Sequence, residues 1–257
     1  YQMSSEKKHK YSELYPSKQL DNYVASYFEA INLTNKPQKI TICPDSYFKL
    51  MVQLLDGKIT SYILVGLFTR EIDIIIQPNI VVYAIRFKIL APEYVLKREL
   101  KLMLNKIEQL ELDYFNIKDI NFTNFSHIVE QFENMLISKI PNEKEIRTNR
   151  LRLSQFLYNN FNDIKASEVS NQIYWSQREI NRYLSKYLGI SLKKYLNIQK
   201  CYRAFFQIRD GYFFPEKGFF DQAHFIREIK KHTGQTPTFL HQGQNDQFIQ
   251  LKNIKKL

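Results

Sequence analysis

The stretch that decides the fold is residues 167–191, which read SEVSNQIYWSQREINRYLSKYLGIS. It predicts two short helices joined by a tight turn, and the second helix begins after Ser176, a residue type preferred as a helix N-cap. Gly189 is expected to end that helix, because Gly is common just beyond helix C-termini. Apolar residues at helical spacing predict its buried face: Ile180, Tyr183, Leu184, Tyr187 and Leu188.

The opposite face of the second helix is polar. Its positions i, i+3, i+4 and i+7 are Arg178, Asn181, Arg182 and Ser185. A short helix with this stripe fits the major groove of DNA, where Arg pairs with guanine and Asn with adenine. An ordinary surface helix shows the same pattern, so one such helix alone favours the plainer interpretation.

The same pattern recurs 45 residues later, and this repeat favours DNA binding. The matching pairs are Ser176 and Asp221, Gln177 and Gln222, Ile180 and Phe225, Arg182 and Arg227, Leu184 and Ile229, Gly189 and Gly234, and Ser191 and Thr236. Between the copies, residues 192–209 predict one helix about 27 Å long. That length is close to the ~34 Å between successive major-groove faces of B-DNA.

Residues 149 to 245 resemble the tandem helix-turn-helix domain of the AraC/XylS family of bacterial transcription regulators. The most specific part is 218–228, GFFDQAHFIRE, followed by 233–237, TGQTP. The resemblance implies double-stranded DNA and RNA polymerase as partners. It also implies that bases are read by Arg178, Asn181 and Arg182 in the first motif and by Gln222, Ala223, Ile226 and Arg227 in the second.

The second motif is shorter than the family's usual one. Six residues separate Gly211 from Gly218, where the family usually has a supporting helix. Pro215 disfavours helical backbone at Phe214, so no helix is expected there. We expect four aromatic residues to support the second motif instead: Phe213, Phe214, Phe219 and Phe220.

The charge of the chain is unevenly distributed. Of the net +11, residues 150–257 contribute +10, from 18 Lys and Arg against 8 Asp and Glu. A basic half is expected if it neutralises DNA phosphates. The candidate phosphate contacts are Lys186, Lys193, Lys194, Lys230 and Lys231. An anionic membrane is the other surface that a basic half could meet, but no basic helix with an apolar membrane face is evident.

Cysteine count and hydropathy argue for a cytoplasmic protein. Cys43 and Cys201 are too few and too far apart for a disulfide framework or a zinc motif. Residues 1–10 have no apolar core, so we expect no signal peptide. No apolar run approaches the ~18 residues of a membrane span, so no membrane partner is expected.

The N-terminal half is predicted to be rich in β-strands. Short segments with β-branched and aromatic residues, separated by turn formers, predict strands at 40–42, 48–55, 61–67, 72–77 and 81–88. This spacing is typical of a small antiparallel barrel or sandwich. A helix is predicted before the strands, at residues 17–28.

This half resembles the cupin-like sensor domains that precede AraC-type motifs. The residues that carry the resemblance are 15–17, 43–45, 65–66 with 69–70, and 85–87. It implies a small-molecule effector or a dimerisation role. Arg70 and Arg86 are the candidates for binding an anionic effector, although Arg at a strand end more often forms a structural ion pair.

Nothing in the sequence indicates an enzyme or a cofactor. Metal-dependent cupins use clusters of His and carboxylate ligands. His9 and His127 are the only histidines before residue 150, and neither lies in a predicted strand. The chain has seven Gly and no Gly-rich phosphate loop. We therefore expect no catalytic residues, no metal and no cofactor.

A homodimer is predicted from a second helical pattern. Residues 92–112 read as a helix whose apolar positions are spaced 4, 3, 4 and 3, as in a two-heptad seam. Those positions are Leu96, Leu100, Met103, Ile107 and Leu110. The alternative is that the seam packs on its own domain or on a next helix at 123–140.

The sequence thus predicts an α+β multidomain protein with a β-rich cupin-like barrel, a helical connector and an all-α tandem helix-turn-helix with a shortened second motif. The expected domains are a sensor and dimerisation domain at 1–140, a linker at 141–148 and a DNA-binding domain at 149–257. The expected function is a sequence-specific DNA-binding transcription regulator, with control by an effector. The alternatives are a non-specific or architectural nucleic-acid binder and a protein-interaction module that has lost DNA reading.

Overall fold

The computed structural model describes residues 9–159, 164–215 and 218–242. The sequence also predicts that the first helix of the DNA-binding domain runs from Leu151 to Phe161, and Phe161 lies outside these ranges, as do Glu216 and Lys217 of the shortened motif. The predicted fold class is confirmed, because a β-rich N-terminal region precedes a helical C-terminal region. No helix in the described part of the chain has the length and apolarity needed to cross a bilayer.

The N-terminal region contains two antiparallel sheets. The strands are β1 His9–Leu14, β2 Val24–Asn32, β3 Gln38–Ile42, β4 Phe48–Leu55, β5 Lys58–Val65, β6 Ile72–Ile76, β7 Val81–Phe87 and β8 Ile107–Gln109. Six of them form a sheet in the order β1-β2-β7-β4-β5-β8, and β3 pairs with β6 in a second sheet. Within the larger sheet, Phe48 of β4 lies opposite Phe87 of β7.

The alternation of side chains explains why these segments form strands. In β4, Phe48, Leu50, Val52 and Leu54 recur with period two and all are buried in the main core. Strand β7 is buried on both faces. Tyr83, Ile85 and Phe87 pack in the main core, and Val82 and Ala84 pack in a smaller cluster on the other side of the sheet. A central strand covered on both sides reads as a continuous apolar run.

The predicted helix at 17–28 is wrong. Residues 18–23 form turns, and β2 begins at Val24. Leu20, Tyr23 and Tyr27 are buried as predicted, but a turn followed by a strand places them there. Tyr27 pairs with Ile85 of β7, and this cross-strand pairing outweighs the local helical spacing.

The predicted helical seam at 92–112 is also wrong. Only α1, Ala91–Tyr94, is α-helical here, and a 3₁₀ turn at Lys101–Met103 and strand β8 follow. Lys97 and Asn105 adopt positive φ angles of 52° and 57°, which interrupt any helix. Leu96, Leu100, Met103 and Leu110 are buried within their own chain, whereas Ile107 is exposed. The homodimer therefore stays a prediction without this seam.

The remaining helices follow a connector. They are α2 Phe125–Ile137, α3 Thr148–Asn159, α4 Ala166–Ile173, α5 Gln177–Leu188, α6 Leu192–Arg209, α7 Gln222–Thr233 and α8 Pro237–Gln242. Short 3₁₀ turns lie at Tyr114–Asp119 and Glu143–Glu145. Helix α2 packs on the sheet through Ile128, Phe132 and Leu136, and the Phe132 ring stacks on Tyr27 at 6.4 Å.

One buried cluster joins the strands to the first part of the helical region. It extends from Leu20 to Ile198 and includes side chains of α3, α4, α5 and α6. A second cluster supports α7 and α8, where Phe205 and Ile208 of α6 pack with Phe225, Ile229 and Leu240. Helix α6 therefore contributes to both cores.

Tyrosine hydroxyls satisfy polar groups where the two regions meet. The Tyr158 and Tyr195 hydroxyls lie 2.8 Å apart, and the Ile89 backbone N–H donates to the Tyr158 oxygen at 3.1 Å. Tyr195 donates to the Ser46 carbonyl at 3.4 Å. The Tyr47 ring stacks on Tyr158, and burial raises the pKa of Tyr47 to about 12. These phenols stay protonated at neutral pH and remain donors.

Gly66 lies where the end of β5 approaches the 3₁₀ turn at Lys101–Met103, and Gly57 in the β4–β5 turn provides a comparison without such a contact. A Cβ on Gly66 would lie 1.9 Å from the Met103 carbonyl oxygen, so we expect Gly66→Ala to cost more than about 3 kcal/mol of unfolding free energy. Gly57 has φ of 74° and open space around it, so Gly57→Ala should cost about 1 kcal/mol. Urea unfolding of both variants measures the difference. Equal losses would contradict the close approach at Gly66.

Candidate nucleic-acid interface

The first recognition helix, α5, has well-formed ends. Ser176 accepts a hydrogen bond from the Glu179 backbone N–H at 3.3 Å, and its hydroxyl donates to the Glu179 carboxylate at 2.6 Å. This bond lowers the pKa of Glu179. Gly189 ends the helix with φ of 72°, and its N–H donates to the Ser185 carbonyl. The predicted base-reading residues Arg178 and Arg182 are exposed between these two ends.

The second recognition helix, α7, repeats this arrangement in the predicted register. Asp221 accepts from the His224 N–H at 2.7 Å, and the His224 Nδ1 accepts from the Phe220 N–H at 3.1 Å. Gly234 ends the helix with φ of 70°. Both helices contain 12 residues, so the 45-residue repeat in sequence is a repeat in structure.

The outward face of α7 carries most of the predicted base-reading residues of the second motif. Gln222, Ala223 and Arg227 are exposed. Ile226 is half-buried and packs against the cluster formed by α6, α7 and α8. Ile226 therefore has a packing contact in addition to any role at a base.

Asn181 has a structural contact that the sequence did not reveal. Its side-chain oxygen accepts a hydrogen bond from the Leu192 backbone N–H at 2.8 Å. Leu192 is fully buried and is the first residue of α6, so this bond fixes the recognition helix to the start of the long helix. The sequence offered one hint: Asn181 follows the buried Ile180, and only three residues separate the end of α5 from the start of α6.

An open cleft of about 1170 Å³ has residues of both recognition helices in its lining. It is lined by the first residue of α5, by one side of α6 and by the side of α7 that carries His224, Glu228 and Lys231. The first turns of α4 and α6 form its other wall. Helix α6 forms the floor of this cleft, and none of the seven predicted base-reading residues lines it.

The cleft is strongly basic. Among its lining residues that the structure describes, six are Lys or Arg and one, Glu228, is acidic. The six are Lys165, Lys193, Lys194, Lys200, Arg203 and Lys231. The N-terminal residues of α4, α5 and α6 also lie at this cleft, and helix N-termini carry partial positive charge and free N–H groups. The arrangement favours a polyanion.

The structure separates the five predicted phosphate contacts into three groups. Lys193, Lys194 and Lys231 line the cleft. Lys230 is exposed on α7 outside the cleft lining. The Lys186 ammonium lies 3.3 Å from the Glu99 carboxylate of the N-terminal region, which neutralises part of its charge.

The shortened second motif is supported by fewer aromatic residues than expected. No helix forms in residues 210–215 and 218–221, the parts of this segment that the structure describes. The Phe219 ring packs edge-on against Phe225 at 5.0 Å, and Phe213 packs against the His241 ring at 5.4 Å. Phe214 and Phe220 are 71% and 93% exposed, so they do not support α7 as predicted.

The C-terminal ends of both recognition helices contact the N-terminal region. A Cβ on Gly189 would lie 2.6 Å from the Lys101 carbonyl oxygen, and one on Gly234 would lie 2.7 Å from a Glu71 carboxylate oxygen. Helix α5 also packs on α1 and on the 3₁₀ turn at Lys101–Met103. These contacts bury the rear of each motif and leave the outward face exposed.

A smaller cavity of about 400 Å³ lies between the β-rich region and α6. Tyr47, Tyr158 and Tyr202 line it together with Lys88 and Arg203. The Lys88 ammonium is already 2.8 Å from the Asp21 carboxylate. Arg203 lines both this cavity and the basic cleft, because it lies on the shared wall formed by α6.

The predicted effector-binding arginines do not line this cavity. Arg86 is buried, 2.6 Å from a Glu13 oxygen and 3.8 Å from an Asp45 oxygen, and its guanidinium lies over the Phe28 ring. Arg70 is exposed in the loop before β6. The contacts of Arg86 are those of a structural ion pair, and the effector role of both arginines stays a prediction.

Comparison with known proteins gives a family model and several solved structures. Residues 12–108, from β1 to β8, match a family described as a domain of unknown function (DUF6597). The match covers less than half of the chain. The comparison with curated proteins finds no match.

The similar solved structures are of ToxT from Vibrio cholerae. One, from strain O395, has 10% identity and a TM-score of 0.43 and covers 96% of this chain and 99% of that one. Another, from the same strain and bound to (E)-4-(8-methylnaphthalen-1-yl)but-3-enoic acid, has 13% identity and a TM-score of 0.41, with coverage of 95% and 100%. At such scores the function has to be argued from the residues of this chain.

The Asn181 contact predicts a split between two substitutions. Asn181→Ala removes the acceptor for the buried Leu192 N–H and should cost about 1–3 kcal/mol of unfolding free energy. Asn181→Asp keeps an acceptor oxygen and should cost clearly less. Urea unfolding of the two variants measures both values. If both variants unfold like the unsubstituted protein, Asn181 does not position α6.

Proposed function

We propose that this protein is a sequence-specific regulator of transcription that binds double-stranded DNA. The observation that carries the proposal is the basic cleft flanked by two equivalent, outward-facing recognition helices. A polyanion lying along the cleft would pass the N-termini of three helices and six cationic side chains. In a DNA duplex, successive major-groove faces lie ~34 Å apart. Helices α5 and α7, joined by the 18-residue α6, can reach two such faces.

Base reading in the proposal is shared by the two motifs. Arg178 and Arg182 have the length and exposure to reach guanine edges from α5, and the Asn181 amide N–H groups remain as donors on the same face. From α7, Gln222 would pair with adenine and Arg227 with guanine. Ala223 and Ile226 offer apolar contact, which suits a thymine methyl group.

Phosphate contacts in the proposal come chiefly from the cleft. Lys193 and Lys194 follow the N-cap of α6, so their ammonium groups and the local N–H groups act on the same anion. Lys231 and Lys230 approach from α7. Lys186 contributes less while it is paired with Glu99.

The domain division stays part of the proposal. Residues 149–257 would bind DNA, 141–148 would link, and 1–140 would sense an effector or form the homodimer. Because Arg203 borders both the DNA cleft and the tyrosine-lined cavity, an anion bound in the cavity would draw this cation away from DNA. RNA polymerase is the further partner implied by the family resemblance.

A non-specific nucleic-acid binder is the second candidate, favoured by the missing supporting helix beside α7. Such a protein would keep its phosphate contacts and lose base discrimination. Sites selected from a random oligonucleotide pool separate the two candidates, since a regulator should prefer its site by ~10³-fold or more over random DNA. No enrichment, together with salt-insensitive binding to a protein partner, would favour an interaction module.

Two substitutions distinguish base reading from phosphate contact. Arg182→Ala should weaken binding to the selected site by about 1–3 kcal/mol and relax the preference at one base pair. Lys194→Ala should weaken binding to all duplexes alike and lower the salt slope by about 1. Fluorescence anisotropy over a range of salt concentrations measures both effects.

The matched control is Lys58→Ala, which removes an exposed Lys at the first position of β5, outside the lining of the cleft. Its DNA affinity should be unchanged. Equal losses for Arg182→Ala and Lys194→Ala on random DNA would refute the assignment of separate roles.

Control by an effector predicts a ligand preference. Aromatic or aliphatic carboxylates should raise the melting temperature and weaken DNA binding, because they fit a tyrosine-lined cavity that also carries Lys88 and Arg203. Their methyl esters should do neither. Arg203→Gln should remove the response, whereas Arg152→Gln, on the exposed side of α3, should keep it. An ester effect equal to that of the acid would rule out an anion site at Arg203.

A further inference from the structure

Three side chains with metal-ligating atoms meet where α6 packs on α7. Cys201 lies on α6, and Glu228 and His232 lie one turn apart on α7. Their ligand atoms are all within 4.8 Å of one another. Cys201 and His232 are 1% and 4% exposed, whereas Glu228 lines the basic cleft. No other group of this kind is found among the residues that the structure describes.

Two of the three groups, Glu228 and His232, contact the same side-chain amide. The Asn197 amide nitrogen lies 2.6 Å from a Glu228 oxygen and 3.3 Å from the His232 Nε2. One donor that faces two acceptors occupies the place that a cation would take between them. Asn197 lies at the edge of the cleft, so its side chain has room to turn out toward solvent.

The second ring nitrogen of His232 supports the same conclusion. Its Nδ1 is buried and has no hydrogen-bond partner among the described residues. Histidines that bind metals commonly turn the non-ligating N–H toward a backbone carbonyl or carboxylate. A proton on Nδ1 would leave the Nε2 lone pair on the side of Asn197 and Glu228.

We propose that Cys201, Glu228 and His232 bind one divalent transition-metal ion of the zinc type. A thiolate, an imidazole and a carboxylate form a ligand set that Zn²⁺ accepts, with a water from the cleft in the fourth position. Metal–ligand bonds of about 2.0–2.3 Å require the ligand atoms to approach to roughly 3.3–3.7 Å, which is a shift of about 1 Å. Binding releases the thiol proton of Cys201 to solvent.

The position of the ion gives it a structural role. It would join α6 to α7 in the motif that lacks a supporting helix, and so hold the second recognition helix against α6. The ion binding itself does not depend on the proposed function. Only its expected effect on DNA affinity does.

Titration of the metal-free protein with Co²⁺ tests the site directly. One Co²⁺ per chain should give d–d absorption of a four-coordinate ion together with a thiolate charge-transfer band, and Zn²⁺ should displace it. Cys201→Ser should remove the charge-transfer band. Cys43→Ser is the control. It removes the other thiol of the hydrophobic cluster around α6, α7 and α8, and the charge-transfer band should remain.

Glu228→Gln provides a variant that keeps the shape of the half-buried side chain. It should weaken Co²⁺ binding at least tenfold while circular dichroism shows an unchanged helix content. Absence of a stoichiometric Co²⁺ complex, or a charge-transfer band that survives Cys201→Ser, would overturn the site.

DNA binding is then measured with and without Zn²⁺ on a selected site. An affinity gain with Zn²⁺ that is lost in Cys201→Ser supports the role of the ion in the second motif. A protein that binds Co²⁺ as described but never binds DNA would refute the proposed function and leave the metal site standing.

Discussion

The burial of one face of α5 against the N-terminal region determines which side chains of this helix reach solvent. Tyr183, Leu184 and Leu188 lie in the core that also holds the strands, so the helix cannot rotate without exposing them. Arg178 and Arg182 are thereby fixed on the solvent side. The N-terminal region thus packs against the inner face of α5, and the exposure of Arg178 and Arg182 depends on that packing.

Helix α6 extends this constraint to the second motif. Its residues pack in both large cores, and it forms the floor of the basic cleft on one side and a wall of the tyrosine-lined cavity on the other. A change in either region therefore acts on the same helix. Arg203 borders both spaces, so this shared wall is the physical route that the proposed effector control would use.

The second motif shows what a recognition helix requires when its supporting helix is missing. Capping by Asp221 and His224 fixes the start of α7, and Phe225 and Ile229 fix its inner face on α6. The side of α7 toward Glu228 and His232 is held by Asn197 from α6. These polar contacts supplement the apolar packing of α7, whereas the inner face of α5 is held by apolar residues of the main core.

Much of the helical half followed from sequence alone, because its determinants are local. N-caps, the Gly residues with positive φ and the 3.6-residue period act within a dozen residues, so α5, α6 and α7 were predicted with nearly correct bounds. Strands β4, β6 and β7 were predicted for the same reason, since alternation and turn formers are local too. The failures, at 17–28 and 92–112, are segments whose apolar spacing was real but whose partners are distant strands.

The sequence by itself determined the two recognition helices, their repeat and the excess of basic residues in that half. Only the tertiary structure decided that α4, α5 and α6 point their N-termini at one cleft, that Asn181 holds the start of α6, and that Cys201 meets Glu228 and His232. The reason is physical: helix formation and capping depend on near neighbours along the chain, whereas convergence of charges and ligands depends on how buried faces pack.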